Sequence, residues 1–551
     1  MVTGVHNSRA RHAKRRDKEK GGLARSSALM AVGTVVSRAT GLIRTALQGA
    51  ALGNGLLATT YNTANTVPTS LYTLLIGGAL NAVLVPQLVR ARKTHPDGGK
   101  AYEQRLVTLV VTVLAVGTAL AVWAAPLIVR IYMPDTPGHH QAFRLTVVFA
   151  RFLLPQIFFY GLFSIYGQVL NAREKFGAMM WTPVLNNIVL LAMFGGYLSL
   201  MTVPDSVAEV TDAQVRWLGV GTTAGIAVQA LALIPFARAA GFRFRPRFDW
   251  RGTGLGSGVH AAKWTLLFVL ANQVALAVVT NYAAAADQEL PKDGVGYTAY
   301  SYAQTIWLLP QSIITVSLVT ALLPRMSKAV AEGRITDLRA DLSRALRISG
   351  VVIVPTAFLF LALGPQITTL IFAHGAADPA SAQPMGHMLQ AFGLGLIPFS
   401  AQYLLLRGFY AFEDTRTPFL MAVWIGVWNI ALATACHLLL PTRLAVTGMA
   451  GAYTLSYLAG LALTARLLAR RAGGRLDDGT VRVTYGKLLT AAACAAGVGW
   501  AAARACGTAL GDGTVATALA TLAGTLALAV VYLVLGRLLK VGELRRLPGL
   551  G

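Results

Sequence analysis

Charge is scarce in this chain, and negative charge is scarcer still. Of 551 residues only 13% are charged, about half the share usual in a soluble chain. Against 48 Lys and Arg stand 23 Asp and Glu. No Asp or Glu lies near the centre of an apolar run; all fall in tails, connections or the ends of runs. This excludes an exchanger that binds protons or sodium on a mid-membrane carboxylate. Cysteine is nearly missing. Cys436, Cys494 and Cys506 lie in or beside apolar runs without C-x-x-C spacing; they read as packing residues, and neither a metal nor a cofactor is expected. No G-x-x-x-x-G-K-[ST] loop is present, and no polar stretch is long enough to hold a nucleotide domain. ATP hydrolysis is therefore excluded as the source of work, and a transporter, not an enzyme, is expected. The net charge of +25 would suggest nucleic acid in a soluble protein. Here the basic residues lie between apolar runs, so they report membrane topology and no nucleic acid is expected.

What the chain does have is apolar length: 55% of its residues are hydrophobic. Fourteen runs approach the length needed to cross a bilayer. They lie at about 26–50, 61–88, 104–130, 142–171, 178–202, 215–238, 259–285, 296–325, 342–372, 383–411, 417–440, 444–469, 484–506 and 514–538. Lipid offers the backbone no hydrogen-bond partner, so each run must be helical, and the fold class is an all-α polytopic membrane protein. Residues 1–25 form a basic tail suited to disorder and to anionic lipid. The run that follows carries Arg38 and Arg44, so it reads as a retained span and not as a cleaved signal.

The connections test this count. Those after odd-numbered runs carry few cations: the uncharged 51–58, the acidic Asp205/Glu209/Asp212 loop, and Asp287/Glu289/Lys292/Asp293. Those after even-numbered runs carry many: Arg90/Arg92/Lys93, Arg173/Lys175, Arg238/Arg243/Arg245/Arg247/Arg251, Arg325/Lys328/Arg334/Arg339, Arg407/Arg416 and Arg466/Arg470/Arg471/Arg475. By the positive-inside rule the even connections and both termini are cytoplasmic. The halves also echo each other. Leu-Val-Pro86-Gln-Leu-Val-Arg90 matches Leu-Leu-Pro324-Arg-Met-Ser-Lys328, and Pro155 matches Pro398. The offset is six spans, so the repeats run parallel, and a substrate site is expected between two bundles. The layout is a six-helix lobe at 26–238, a linker at 239–258, a second six-helix lobe at 259–470, two extra helices within 471–540 and a tail at 541–551.

Cations inside the spans stand out against this background. Arg38 and Arg44 lie about 18 and 27 Å along the first run from Ser26. Two readings stand: they neutralise carbonyls or reach an interface, or they line a wet cavity and bind an anion. With no carboxylate in the spans to pair with, and a guanidinium fork suited to phosphate, an anionic substrate is the natural partner. Arg151 faces either a cavity or a carbonyl, and Lys263 and Arg407 sit close enough to run ends to snorkel.

Several stretches resemble one family. Gly33-Thr-Val-Val-Ser37-Arg38-Ala-Thr-Gly41-Leu-Ile-Arg44, Ala64-Asn65-Thr-Val-Pro68 and Gly77-Gly78-Ala79-Leu80-Asn81 are similar to the first two helices of the MurJ/MviN lipid II flippases. Leu170-Asn171-Ala172-Arg173 with Pro183 and Asn186-Asn187-Ile188, then Thr320-Ala321-Leu-Leu-Pro324-Arg325-Met-Ser327, then Arg407-Gly-Phe-Tyr410-Ala411-Phe-Glu-Asp414-Thr415-Arg416-Thr417-Pro418 follow in family order. The resemblance implies the multidrug/oligosaccharidyl-lipid/polysaccharide exporter fold: two six-helix lobes around a cationic cavity, with two C-terminal helices grooved for a lipid tail. It implies lipid II as the lipid-linked anionic cargo, membrane lipids and cell-wall synthesis proteins as partners, and a bacterial cytoplasmic membrane as the location. The sequence departs from the family where it has acidic and basic cavity residues. Thr59 aligns with an acidic position, Tyr72 and Thr73 with an arginine, and Tyr302-Ala303-Gln304-Thr305-Ile-Trp307 lacks the family's Asp-Arg pair and Glu. The residues expected to bind the anionic head are Arg38 and Arg44, with Gln304 and Thr305 supplying neutral hydrogen bonds. Another polyprenyl-linked glycan, a drug-exporter role and a non-transporting scaffold stay open as alternatives.

Overall fold

The computed structural model describes residues 32–74, 97, 99–173, 175, 177–249, 255–511 and 513–544. The basic tail at 1–25, the motif at 77–86, the cations Arg90, Arg92, Lys93 and Arg251, and residues 545–551 lie outside the described residues. All regular structure among the described residues is helical.

The first half holds α1 (32–52), α2 (Leu56–Tyr72), α3 (Lys100–Trp123), α4 (Ala125–Tyr132), α5 (His140–Leu153), α6 (Gln156–Asn171), α7 (Gly177–Leu200), α8 (Asp212–Leu231) and α9 (Leu233–Ala239). The second holds α10 (Leu255–Glu289), α11 (Tyr297–Pro310), α12 (Val316–Ala331), α13 (Ile335–Phe372), α14 (Pro379–Gly393), α15 (Leu396–Ala411), α16 (Arg416–Leu439) and α17 (Thr442–Arg471). Two more follow, α18 (Thr480–Leu510) and α19 (Thr514–Leu538). Ten helical stretches are long and apolar enough to cross a bilayer, or eleven when the bent pair α14–α15 is taken as one span. The first, second and eighth runs expected from the sequence fall on α1, α2 and α11–α12. The described part of α2 is short, and α11–α12 is interrupted by a π-helical segment, Gln311–Thr315, directly after Pro310.

Proline sets the breaks, because its ring removes a backbone donor and crowds the preceding turn. The stretch α5–α6 breaks at Leu154–Pro155, and α14–α15 breaks before Pro398 with a bend of 47°. The flanking helices have 14 and 16 residues in one case and 15 and 16 in the other. The echo between Pro155 and Pro398 is thus a matching pair of broken helices. Helix α13 is kinked at Leu363, two residues before Pro365.

Two large apolar cores organise the packing. The first joins residues of α1 to α9, with Tyr61, Phe149 and Phe194 fully buried at its centre. The second joins α10, α11 and α13 to α17 around Trp307, which packs against Phe392, Phe399 and Tyr453. Helices α18 and α19 pair through small buried residues such as Ala491, Ala495 and Ala520, and dock on α13. Polar ends are held from within. Glu103 on α3 was expected at a watery span end; instead it is buried and takes a two-pronged bond from Arg173 at 2.6 and 2.7 Å.

Candidate functional site

The two bundles meet along α2 and α11. Thr59, Asn62 and Thr66 recur at i, i+3 and i+7 and so share one face of α2. That face meets Tyr297, Thr298 and Tyr302 on α11. Thr59 Oγ1 lies 2.9 Å from Thr298 Oγ1 and accepts from the Thr298 N–H at 3.1 Å. The Asn62 amide donates to Thr298 Oγ1 at 3.0 Å and to the Tyr302 hydroxyl at 3.5 Å. The hydroxyls of Thr66 and Tyr297 are 2.7 Å apart. From α1, Gln48 Nε2 donates to Asn62 Oδ1 at 2.6 Å and fixes that amide in the zipper.

The same end carries further bonds between the bundles. The Leu56 N–H donates to the Pro291 carbonyl, the Ala376 N–H to the Ala50 carbonyl, and Gln288 joins Pro134 and Thr136. Gly55 permits the first contact: a Cβ there would stand 2.1 Å from the Pro291 oxygen. All of these residues belong to odd-numbered connections or the helix ends beside them, so the seal closes the odd-connection end.

Asp287 lies at the heart of this seal. The sequence reading put it in a connection; the structure puts it inside α10, with its side chain wholly buried. The helix runs on because Ala283–Ala286 offer no turn residue and Pro291 comes only later. Thr59 of the opposite bundle donates to its Oδ2, while its Oδ1 is buried without a hydrogen-bond partner. Gly296 makes room, since a Cβ would come within 2.0–2.4 Å of the carboxyl atoms. Thr59 thus donates to an acidic residue on a helix of the other bundle. The run of four alanines before Asp287 was the available signal, because small side chains mark close helix approach.

Arg44 lies just past the seal, four residues before Gln48 on α1 and so on the same face. It is half-buried, and its Nε is buried without a hydrogen-bond partner. Tyr61, Tyr160 and Tyr302 lie near it, and they belong to α2, α6 and α11 and so to both bundles. Arg38 lies six residues away, about 9 Å along the helix and about 120° around it. It is exposed and makes no hydrogen bond or ion pair among the described residues. The helix carrying both is pinned by Asn187 of α7, which donates to the Ser37 carbonyl at 3.0 Å and to Thr40 Oγ1 at 2.9 Å.

Gln304 and Thr305 point apart. The Thr305 hydroxyl donates to the Ser301 carbonyl at 2.8 Å, on the side of α11 that carries Thr298 and Tyr302. Gln304 turns into the second bundle. There it lines a separate cavity of about 180 Å³ with Gln273, Asn429, Tyr300 and Tyr453. In that cavity the Oε1 of Gln273 and the Oδ1 of Asn429 are buried without partners. Among the described residues no group of three or more His, Cys, Asp or Glu is placed to hold a metal. The contacts close one end of the space between the bundles, and Arg44 lies beside them.

Comparison with known proteins fits this architecture. The chain is 29% identical over 485 residues to the "Probable lipid II flippase MurJ" of Rhizobium meliloti, covering 85% of each. It is 27% identical over 397 residues to the "Lipid II flippase MurJ" of Burkholderia cenocepacia, covering 71% of this chain and 74% of that one. Among solved structures it resembles "Lipid II flippase MurJ, inward closed conformation" with a TM-score of 0.72 at 18% identity, covering 93% of this chain and 99% of that one. It also resembles an inward-facing multidrug resistance MATE family transporter of the MOP superfamily, with a TM-score of 0.62 at 14% identity over 80% of this chain and 98% of that one. At those identities the two structures speak for the fold alone. The family model for the lipid II flippase MurJ matches residues 49–537, and the chain therefore belongs to the lipid II flippase MurJ family.

Proposed function

We propose that this chain moves lipid II, the undecaprenyl-diphosphate-linked peptidoglycan precursor, from the inner to the outer leaflet of the bacterial cytoplasmic membrane. The observation that carries this reading is Arg44, a membrane-embedded guanidinium between two bundles with an unsatisfied Nε and no carboxylate partner. Such a group is costly unless an anion visits it, and a diphosphate matches its fork. Arg38, exposed toward the even-connection end, supplies the second cation, and Thr305 a neutral contact on the α11 side. Gln304 faces the other way and is the weaker member of the set.

The chain crosses the membrane fourteen times, with lobes at 26–238 and 259–470, a linker at 239–258 and two additional helices within 471–540. The arginine-rich even connections and both termini are cytoplasmic. In that orientation the Thr59–Asp287 seal closes the outer face, and the chain waits for substrate from the inner leaflet. Cargo and head group then pass when the seal opens and the even-connection end closes. The membrane potential, worth about 2.3 kcal/mol per charge at 100 mV, biases the cycle without ATP.

The test is replacement of the endogenous flippase in a bacterial host by this chain, with lipid II in the outer leaflet measured per inserted molecule. Transport by the native chain, weaker transport by Arg38→Lys and none by Arg44→Ala support the reading. An inserted, abundant native chain that leaves lipid II in the inner leaflet overturns it.

A further inference from the structure

The connection between the bundles reads Gly241-Phe-Arg-Phe-Arg-Pro-Arg-Phe-Asp-Trp250, an alternation of aromatic and basic residues. Over 242–249 it has no helix or turn, and its backbone bonds to α3 fall on residues 243, 245 and 247, the alternation of an extended segment, which Pro246 suits. Successive side chains of an extended segment point to opposite sides.

The segment does not hang free; it lies along α3. Gln104 donates through Nε2 to the Arg243 carbonyl and accepts through Oε1 from the Arg245 N–H. Thr108 Oγ1 accepts from the Arg247 N–H at 3.0 Å. Arg105 closes the far end on Asp249. Phe242 plugs the near end, edge-on to Tyr166 at 5.7 Å and beneath the Arg173 guanidinium at 5.6 Å. Docking thus uses backbone atoms and the two ends. The side chains of Arg243, Arg245 and Arg247 are left exposed, as are Phe244 and Phe248.

Depth and direction say what those side chains meet. Thr108 is eight residues into α3, about 12 Å along it, so the strap descends beside the apolar part of a membrane helix. Eleven residues on, three turns later on the same flank, Gln104, Arg105 and Thr108 are succeeded by Ala115, Val116 and Ala119, all exposed. The strap therefore lies on the lipid-facing flank of α3, away from the space between the bundles where Arg44 sits.

We propose that residues 242–249 are a binding strap for anionic phospholipid head groups of the leaflet at the even-connection end, whichever side of the membrane that end faces. The three guanidinium forks take phosphate oxygens, and Phe244 and Phe248 seat in the head-group layer, where an aromatic ring loses less than in water. Asp249 does not cancel the charge, because its carboxylate is tied to Arg105. Nearby Glu103 is tied to Arg173. Cargo binding between the bundles is a separate matter, and the strap stands or falls without it.

The test uses the full chain in phosphatidylcholine nanodiscs containing phosphatidylglycerol, with Cys436, Cys494 and Cys506 replaced by alanine. A bimane label is placed at Phe248→Cys, and at Val116→Cys as a lipid-facing reference. Bromine on the phosphatidylglycerol should quench the 248 label several-fold more than bromine on an equal fraction of phosphatidylcholine. At the 116 label the two should quench alike. An arginine near an anionic surface is worth about fivefold in local enrichment. Arg243→Gln, Arg245→Gln and Arg247→Gln together should therefore abolish the preference, and added salt should weaken it. The backbone bonds to Gln104 and Thr108 survive these changes, so loss of docking does not confuse the result. Equal quenching by the two lipids in the native strap, or a preference that survives the triple replacement, overturns the proposal. No quenching by either lipid also overturns it.

Discussion

Replacing Thr59 by valine should open the seal. Valine keeps the shape of threonine and removes only the hydroxyl. That hydroxyl donates to Asp287, meets Thr298 Oγ1 at 2.9 Å and accepts from the Thr298 N–H at 3.1 Å. In the sealed state its loss leaves a wholly buried carboxyl short of a donor and a backbone N–H without its acceptor. With the bundles apart, water serves both groups. The cost therefore falls on one state alone, which is the condition for shifting an equilibrium. A buried polar group left short of a partner costs about 1–3 kcal/mol, so the open fraction should rise about 5- to 150-fold. Spin labels at Ser206→Cys and Leu439→Cys, exposed on opposite bundles at the sealed end, report the distance across it in a background without the native cysteines. Pulsed dipolar spectra of Thr59→Val should show a longer-distance population that Thr59→Ser, which restores the hydroxyl, does not. Unchanged distance distributions in folded Thr59→Val would refute the claim that this hydroxyl holds the bundles together.

Three further outcomes rest on one contact at the seal and two elsewhere in the fold. Glu103→Gln leaves Arg173 buried without its counter-charge and should destabilise the first bundle by about 3–5 kcal/mol; thermal unfolding in detergent reads this, and changing Arg173 to methionine as well should restore part of it. Gly296→Ala drives a Cβ to within 2.4 Å of the Asp287 carboxyl, so inserted protein should fall, or the spin-label distance should lengthen as in Thr59→Val. The Asp477 carboxyl, in the connection before α18, is pushed up by partial burial but pulled down further by bonds from Thr480, the Val481 N–H and Ser343, and ends below the usual carboxylate range. Its contribution is fully present above the unfolded value of about 3.9 and is lost as pH falls through the lower folded value. Hydrogen-exchange protection at the start of α18 should hold at pH 5 and fall once the pH drops below the ordinary carboxylate value, with Asp477→Asn already low at pH 5.

Legibility in the sequence followed the range of the forces involved. The helices were readable because a span is a local composition, and the paired breaks at Pro155 and Pro398 were readable because proline acts on its own turn. The guanidinium of Arg44 was readable because a cation within an apolar run stands out against its neighbours. The seal was not readable in the same way. Thr59 and Thr298 are 239 positions apart, and each is an ordinary threonine until the other faces it. Asp287 was misassigned for a related reason. Proximity to Glu289, Lys292 and Asp293 made it look like one more solvated loop charge, yet those neighbours turn outward. Glu289 accepts from Thr442, and Asp293 pairs with Arg443. What separates Asp287 from them is its helical register, which aims its carboxyl at α2 and α11. Register matters in the same way at residues 304 and 305, where a step of about 100° sends Gln304 into the second bundle and leaves Thr305 on the side facing the first. A contact between bundles is a property of two faces. Hydropathy and charge describe one face at a time, so they mark the spans and the lone cations and pass over the neutral zipper that decides which end of the molecule is closed.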